Sequence, residues 1–132
     1  MNEIELLRQQ YLAELQNKAT TLGNLLQSIL HDLGCKRAPN WKELEFMVHK
    51  FAGSSGTYGF GALSRVLSHL ENALLSGALP RLKKNWAARY LQAWQQAFTL
   101  SVKNAISEKK SPAALDNDLE ELSQLLNAKE AA

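Results

Sequence analysis

The sequence predicts an all-α protein, an up-and-down antiparallel four-helix bundle with an additional short C-terminal helix. Three observations lead there. Apolar residues recur at steps of three and four along most of the chain, the signature of helices with one buried face. No stretch alternates apolar and polar residues as a half-buried strand would. The breaks between periodic segments are short, which favours antiparallel neighbours.

The first segment places Ile4, Leu7, Tyr11, Leu15, Ala19, Leu22, Leu26 and Ile29 on one stripe, predicting a long helix to about His31. Gly34, Pro39 and Asn40 then form a turn, with Asn40 a candidate N-cap. A second helix begins near Trp41 and carries Leu44, Met47, Val48 and Phe51 inward. The glycine-rich stretch GSSGTYGFG is expected to end or fray it. In the third helix Leu63, Val66, Leu67, Leu70 and Leu74 face the core, and Gly77 supplies a stop. Pro80 is expected to open the fourth helix, whose stripe is Leu82, Trp86, Tyr90, Trp94, Phe98 and Ala105. Ser111 and Pro112 resemble an N-cap and first-turn proline for a fifth helix bearing Leu115, Leu119, Leu122 and Leu126. The expectation is one domain, with the bundle at about residues 4–108 and the extra helix at about 112–128.

Composition narrows the function. With 45% hydrophobic and 21% charged residues, the balance is that of an ordinary folded domain. A formal charge of +2 gives little reason to expect nucleic acid or a membrane surface as partner. A single cysteine, Cys35, rules out an internal disulfide framework and a cysteine-based zinc site. The acidic, amphipathic start lacks the pattern of a signal peptide, so a cytoplasmic location is expected.

Chemistry concentrates at residues 47–61, MVHKFAGSSGTYGFG. Within a helix each glycine costs about 1 kcal/mol relative to alanine. On the helical wheel Glu45, Ala52, Gly53 and Gly56 share the face of His49, which predicts an imidazole projecting from a strip of small residues. Two readings of the glycines stand side by side. They let another molecule approach His49 closely, or they let the second helix pack tightly on the third.

The run from His49 to Gly59 resembles the active-site signature of histidine-containing phosphotransfer (HPt) domains. The histidine is followed by a large apolar residue at Phe51, then by Gly53, Gly56 and Gly59. Leu63, Leu67, Leu70 and Glu71 resemble that family's third bundle helix. The resemblance implies a four-helix bundle that relays phosphoryl groups in two-component signalling. It implies that His49 is phosphorylated, that Gly53 leaves room for a partner's loops, and that Ser54 lies beside the phosphoryl group. Glu71 would hold the second imidazole nitrogen. The family often has Lys or Arg three residues after the histidine, where this chain has Ala52; Lys50 is the nearby cation.

The expected partners are receiver domains of a hybrid sensor kinase or response regulator, docking over Glu45, Ala52, Gly53, Gly56 and Gly59. They would supply Mg²⁺, with no cofactor bound by this chain. A monomeric phosphocarrier is expected, without ATP-dependent kinase activity. Two other readings remain. One is a non-phosphorylated interaction module using the same surface. The other, a nucleic-acid-binding bundle, rests only on the basic patch of Arg81, Lys83, Lys84 and Arg89. A dedicated metal site is not expected, because Glu45 and His49 have no second matching pair. His31 is read as a helix-end residue, His69 as solvated, and Cys35 as a free thiol.

Overall fold

A computed structural model describes residues 2–35, 37–107 and 114–128. These form helices α1 (Glu3–Gly34), α2 (Trp41–Thr57), α3 (Gly61–Leu75), α4 (Lys84–Ile106) and α5 (Leu115–Asn127), with no strand among the described residues. The first four close a ring in which α1 meets α2 and α4, and α3 meets α2 and α4, while α5 packs on α3 and α4. The core runs through the ring. Leu15, Leu22, Leu26, Leu44, Val48, Leu67, Leu70 and Trp94 are all fully buried within it.

Local chemistry sets the helix ends. Asn40 caps α2: its Oδ1 accepts from the Glu43 amide at 3.1 Å, and its Nδ2 donates to the Glu43 carboxylate at 3.1 Å. The first bond satisfies a free amide of the first turn, and the second ties the Glu43 side chain back to the cap. At the other end Gly59 adopts φ +83°, a conformation glycine takes without steric cost. The Gly59 amide donates to Gly56 O at 3.1 Å and the Phe60 amide to Ser55 O at 2.9 Å, completing a Schellman stop. Buried Phe60 then anchors the reversal into α3.

Several sequence expectations need correction. The GSSGTYGFG stretch does end α2, at Thr57, but Gly53 and Gly56 lie inside the helix rather than at its end. Their loss of helix propensity is outweighed by packing, since Phe51, Ala52 and Ser55 are buried on either side of them. Ile4 and Leu7 lie on the apolar stripe yet are 71% and 41% exposed. The first two turns of α1 precede its first core residue, Tyr11.

Pro80 does not open α4, which starts at Lys84. The intervening turn instead folds Leu79 and Leu82 into the core. The Ser111–Pro112 cap lies outside the described residues. His69 is not a solvated residue: it is half-buried, between Tyr90 Oη at 2.7 Å and Ser123 Oγ at 2.9 Å. The docking of α5 over α3 creates that environment.

Candidate functional site

His49 sits midway along α2 and Glu71 near the end of α3. The antiparallel pairing of these helices brings them together, and Nδ1–H of His49 donates to Glu71 Oε2. The imidazole is 73% exposed whereas the Glu71 side chain is only 16% exposed. A half-sunk carboxylate therefore holds one nitrogen of an otherwise solvent-facing ring. A carboxylate accepts but cannot donate when ionised, so the bond fixes the Nδ1–H tautomer. Nε2 is left with its lone pair directed away from α3. That is the arrangement of a nucleophile with an orienting partner.

The ring lies in a recess lined by Lys42, Glu45, Phe46, His49, Glu71 and Leu75. Phe46 is 65% exposed and Leu75 61% exposed, so two large apolar side chains stand open beside the polar pair. Sequence reasoning missed Lys42 and Leu75. The helical wheel could have found both, Lys42 two turns before His49 and Leu75 one turn after Glu71.

Gly53, Gly56 and Gly59 have three different causes. A Cβ built on Gly53 would meet nothing within 4 Å. Tight packing therefore does not explain Gly53, which leaves open space one turn after His49 on the same face. A Cβ on Gly56 would come 3.2 Å from Ser64 Oγ, so Gly56 lets α3 approach α2 closely. Gly59 serves the turn through its positive φ.

Other predicted site residues lie elsewhere. Ala52 is 6% exposed and is not on the surface strip. Three residues on from His49 it falls roughly 60° round toward α3, where Ser64 Oγ donates to its carbonyl at 3.3 Å. Ser54 does not face the His49 recess. Five residues on, it turns toward α1, where its Oγ meets Tyr11 Oη at 2.8 Å and donates to Phe51 O at 3.1 Å. Burial raises the Tyr11 hydroxyl above the ordinary tyrosine value, with the Ser54 bond opposing it. Lys50 lies in the neighbouring groove toward α1, its Nζ 5.0 Å from the centroid of the Phe46 ring. Glu45 stays within the recess.

Among the described residues no group of three or more His, Cys, Asp or Glu could hold a metal ion. None of their helices is long and apolar enough to cross a membrane. Searches among curated proteins and among solved structures found no match. A family model for the Hpt domain matches residues 6–128, nearly the whole chain. The five-helix fold and that match agree, and the chain belongs to the Hpt domain family, whose members serve histidine phosphotransfer in phosphorelays.

Proposed function

We propose that this chain is a monomeric cytoplasmic phosphocarrier in which His49 accepts a phosphoryl group from a receiver-domain aspartyl phosphate and passes it to another receiver aspartate. The observation that carries this reading is the exposed imidazole held through Nδ1 by Glu71, beside a glycine with open space over it. The Nε2 lone pair attacks phosphorus, and a P–N bond forms. The bond from phosphorus to the aspartyl oxygen breaks, and its electron pair leaves with the carboxylate. The ring becomes cationic, and Glu71 stabilises it through the Nδ1 proton. Return transfer reverses these steps onto a second carboxylate. Positioning and charge neutralisation do most of such work. The receiver partner would contribute the Mg²⁺ that neutralises the transferred charge.

Phe46 and Leu75 supply the apolar part of a docking face, and Gly53 the clearance. The test is phosphoryl transfer from a panel of phosphorylated receiver domains, with His49→Gln in parallel. Acid-labile label on the native chain and none on the variant is expected. Receiver binding that survives His49→Gln, with no label on either chain, would instead favour an interaction module that uses the same face without phosphorylation. Gly53→Arg should stop transfer while leaving the helical signal unchanged.

A further inference from the structure

The recess that would receive the phosphoryl group is poor in positive charge at the reacting nitrogen. Glu71 from α3 and Glu45 from α2 face it. A phosphoryl group adds nearly two negative charges at neutral pH, so the loaded ring needs a cation. Lys42 lines the recess but precedes His49 by two turns. Seven residues of helix rise place its Cα about 10 Å along the axis from that of His49. Across the neighbouring groove, Lys18 of α1 lies over the Tyr11 ring at 5.5 Å, beside Glu14 of the same helix.

Lys50 is placed differently. It directly follows His49, and its side chain leans back over Phe46, with Nζ 5.0 Å from the ring centroid. Phe46 lies between the two on the helical wheel, one turn earlier, and lines both the His49 recess and the Lys50 groove. The ammonium is thus parked on the flank of the residue that borders the imidazole. Glu71 holds Nδ1 from the α3 side, and Lys50 stands on the opposite flank of His49, in the groove toward α1.

Resting on the phosphocarrier reading, we propose that Lys50 is the counter-cation of phosphorylated His49 and that Phe46 is its positioning residue, holding the ammonium until the phosphoryl group arrives. An exposed cation–π contact is weak, whereas a phosphoryl dianion offers a full charge and strong acceptor oxygens. Loading His49 therefore moves Lys50 off the Phe46 ring and uncovers that aromatic face. The unloaded and loaded forms then present different surfaces to a receiver. Lys50 thereby serves in place of a cation on the Ala52 side of the histidine.

The test loads His49 with phosphoramidate, a small donor that needs no protein partner: P–N to the imidazole forms as P–N to ammonia breaks. In the unloaded protein the Lys50 methylene protons should show an upfield ring-current shift, lost in Phe46→Leu. Phosphorylation of the native protein should remove the same shift. The second ionisation of the phosphoryl group, followed by ³¹P NMR, should lie roughly half a pH unit lower in the native protein than in Lys50→Gln. Added salt should narrow that gap. A labelled His49 with unmoved Lys50 protons and equal ³¹P midpoints overturns this inference and leaves the phosphocarrier intact. No label on His49 overturns both.

Discussion

Two histidines, one on each of the paired helices α2 and α3, end in opposite chemical states. His49 has one nitrogen held and the other free, on a ring that is largely in solvent. His69 has both nitrogens engaged, at 2.7 Å to Tyr90 Oη and 2.9 Å to Ser123 Oγ, and lies against the Tyr90 ring with centroids 5.9 Å apart. Ser123 already donates to Leu119 O at 3.1 Å, so its oxygen accepts from His69 Nε2–H. Nδ1 must then accept from Tyr90, whose hydroxyl burial keeps firmly protonated. The nitrogen without a partner gives His49 the form a nucleophile needs, whereas two partners make His69 a structural tie. Imidazole identity alone distinguishes neither.

The comparison breaks most decisively at the level of chemistry. His49→Gln should abolish acid-labile phosphate uptake, while His69→Gln keeps it; label on the first or loss on the second would reverse the roles. Glu71→Gln should slow transfer by roughly ten- to a hundredfold with receiver affinity unchanged. It leaves the ring in place but removes the charge that supports the loaded state. Single-turnover rates alongside a binding titration separate the two effects.

The acid side sharpens the contrast. Burial holds the His69 pKa below the ordinary histidine value, so the folded state prefers the neutral ring. The unfolded chain takes up that proton near pH 6.5. Stability from this site is therefore complete above about pH 6.5, and falls with acidification until the folded ring itself protonates. Urea midpoints measured from pH 7.5 to 5.5 should decline for the native chain and decline less for His69→Gln. The difference in slope is at most about 1.4 kcal/mol per pH unit, one proton's worth. Equal slopes would show that His69 is not buried neutral.

The smallest effects lie in the glycines flanking the site. Gly53→Ala should raise stability by about 1 kcal/mol, because its Cβ enters open space in a helix. Gly59→Ala should lower it by about 1 kcal/mol, because of its positive φ. Thermal denaturation of the pair reads both signs in one experiment. A destabilised Gly53→Ala would return that glycine to a packing role.

Periodicity made the bundle legible. The stripe of α3 is buried throughout, those of α2 and α4 are buried except for the half-buried Met47, Trp86 and Ala105, Asn40 is a cap, and Gly77 with φ +77° follows the end of α3. The site was partly legible for the same reason. A helical wheel tells which side chains leave an element together, as with His49 and Glu45. It does not tell which neighbour an element meets. Ala52 and Ser54 are short side chains on a helix flanked by α3 on one side and α1 on the other, and only the packing shows which way each is turned. His69 was misread because its partner Ser123 lies on α5, fifty-four residues away. The glycines hid their causes because an absent side chain has no pattern of its own.

Phe60, in the turn between α2 and α3, stands eleven residues from His49 and eleven from Glu71. The hairpin is folded at its midpoint, and the pairing of His49 with Glu71 is a matter of counting. One residue added after Gly59 would shift Glu71 by about 1.5 Å along its helix axis or turn it about 100° away. Either displacement separates the carboxylate from Nδ1 without touching a residue of the site. Between these two positions the chain can change letters far more freely than it can change length, and the Gly59 stop is the gauge that keeps that length.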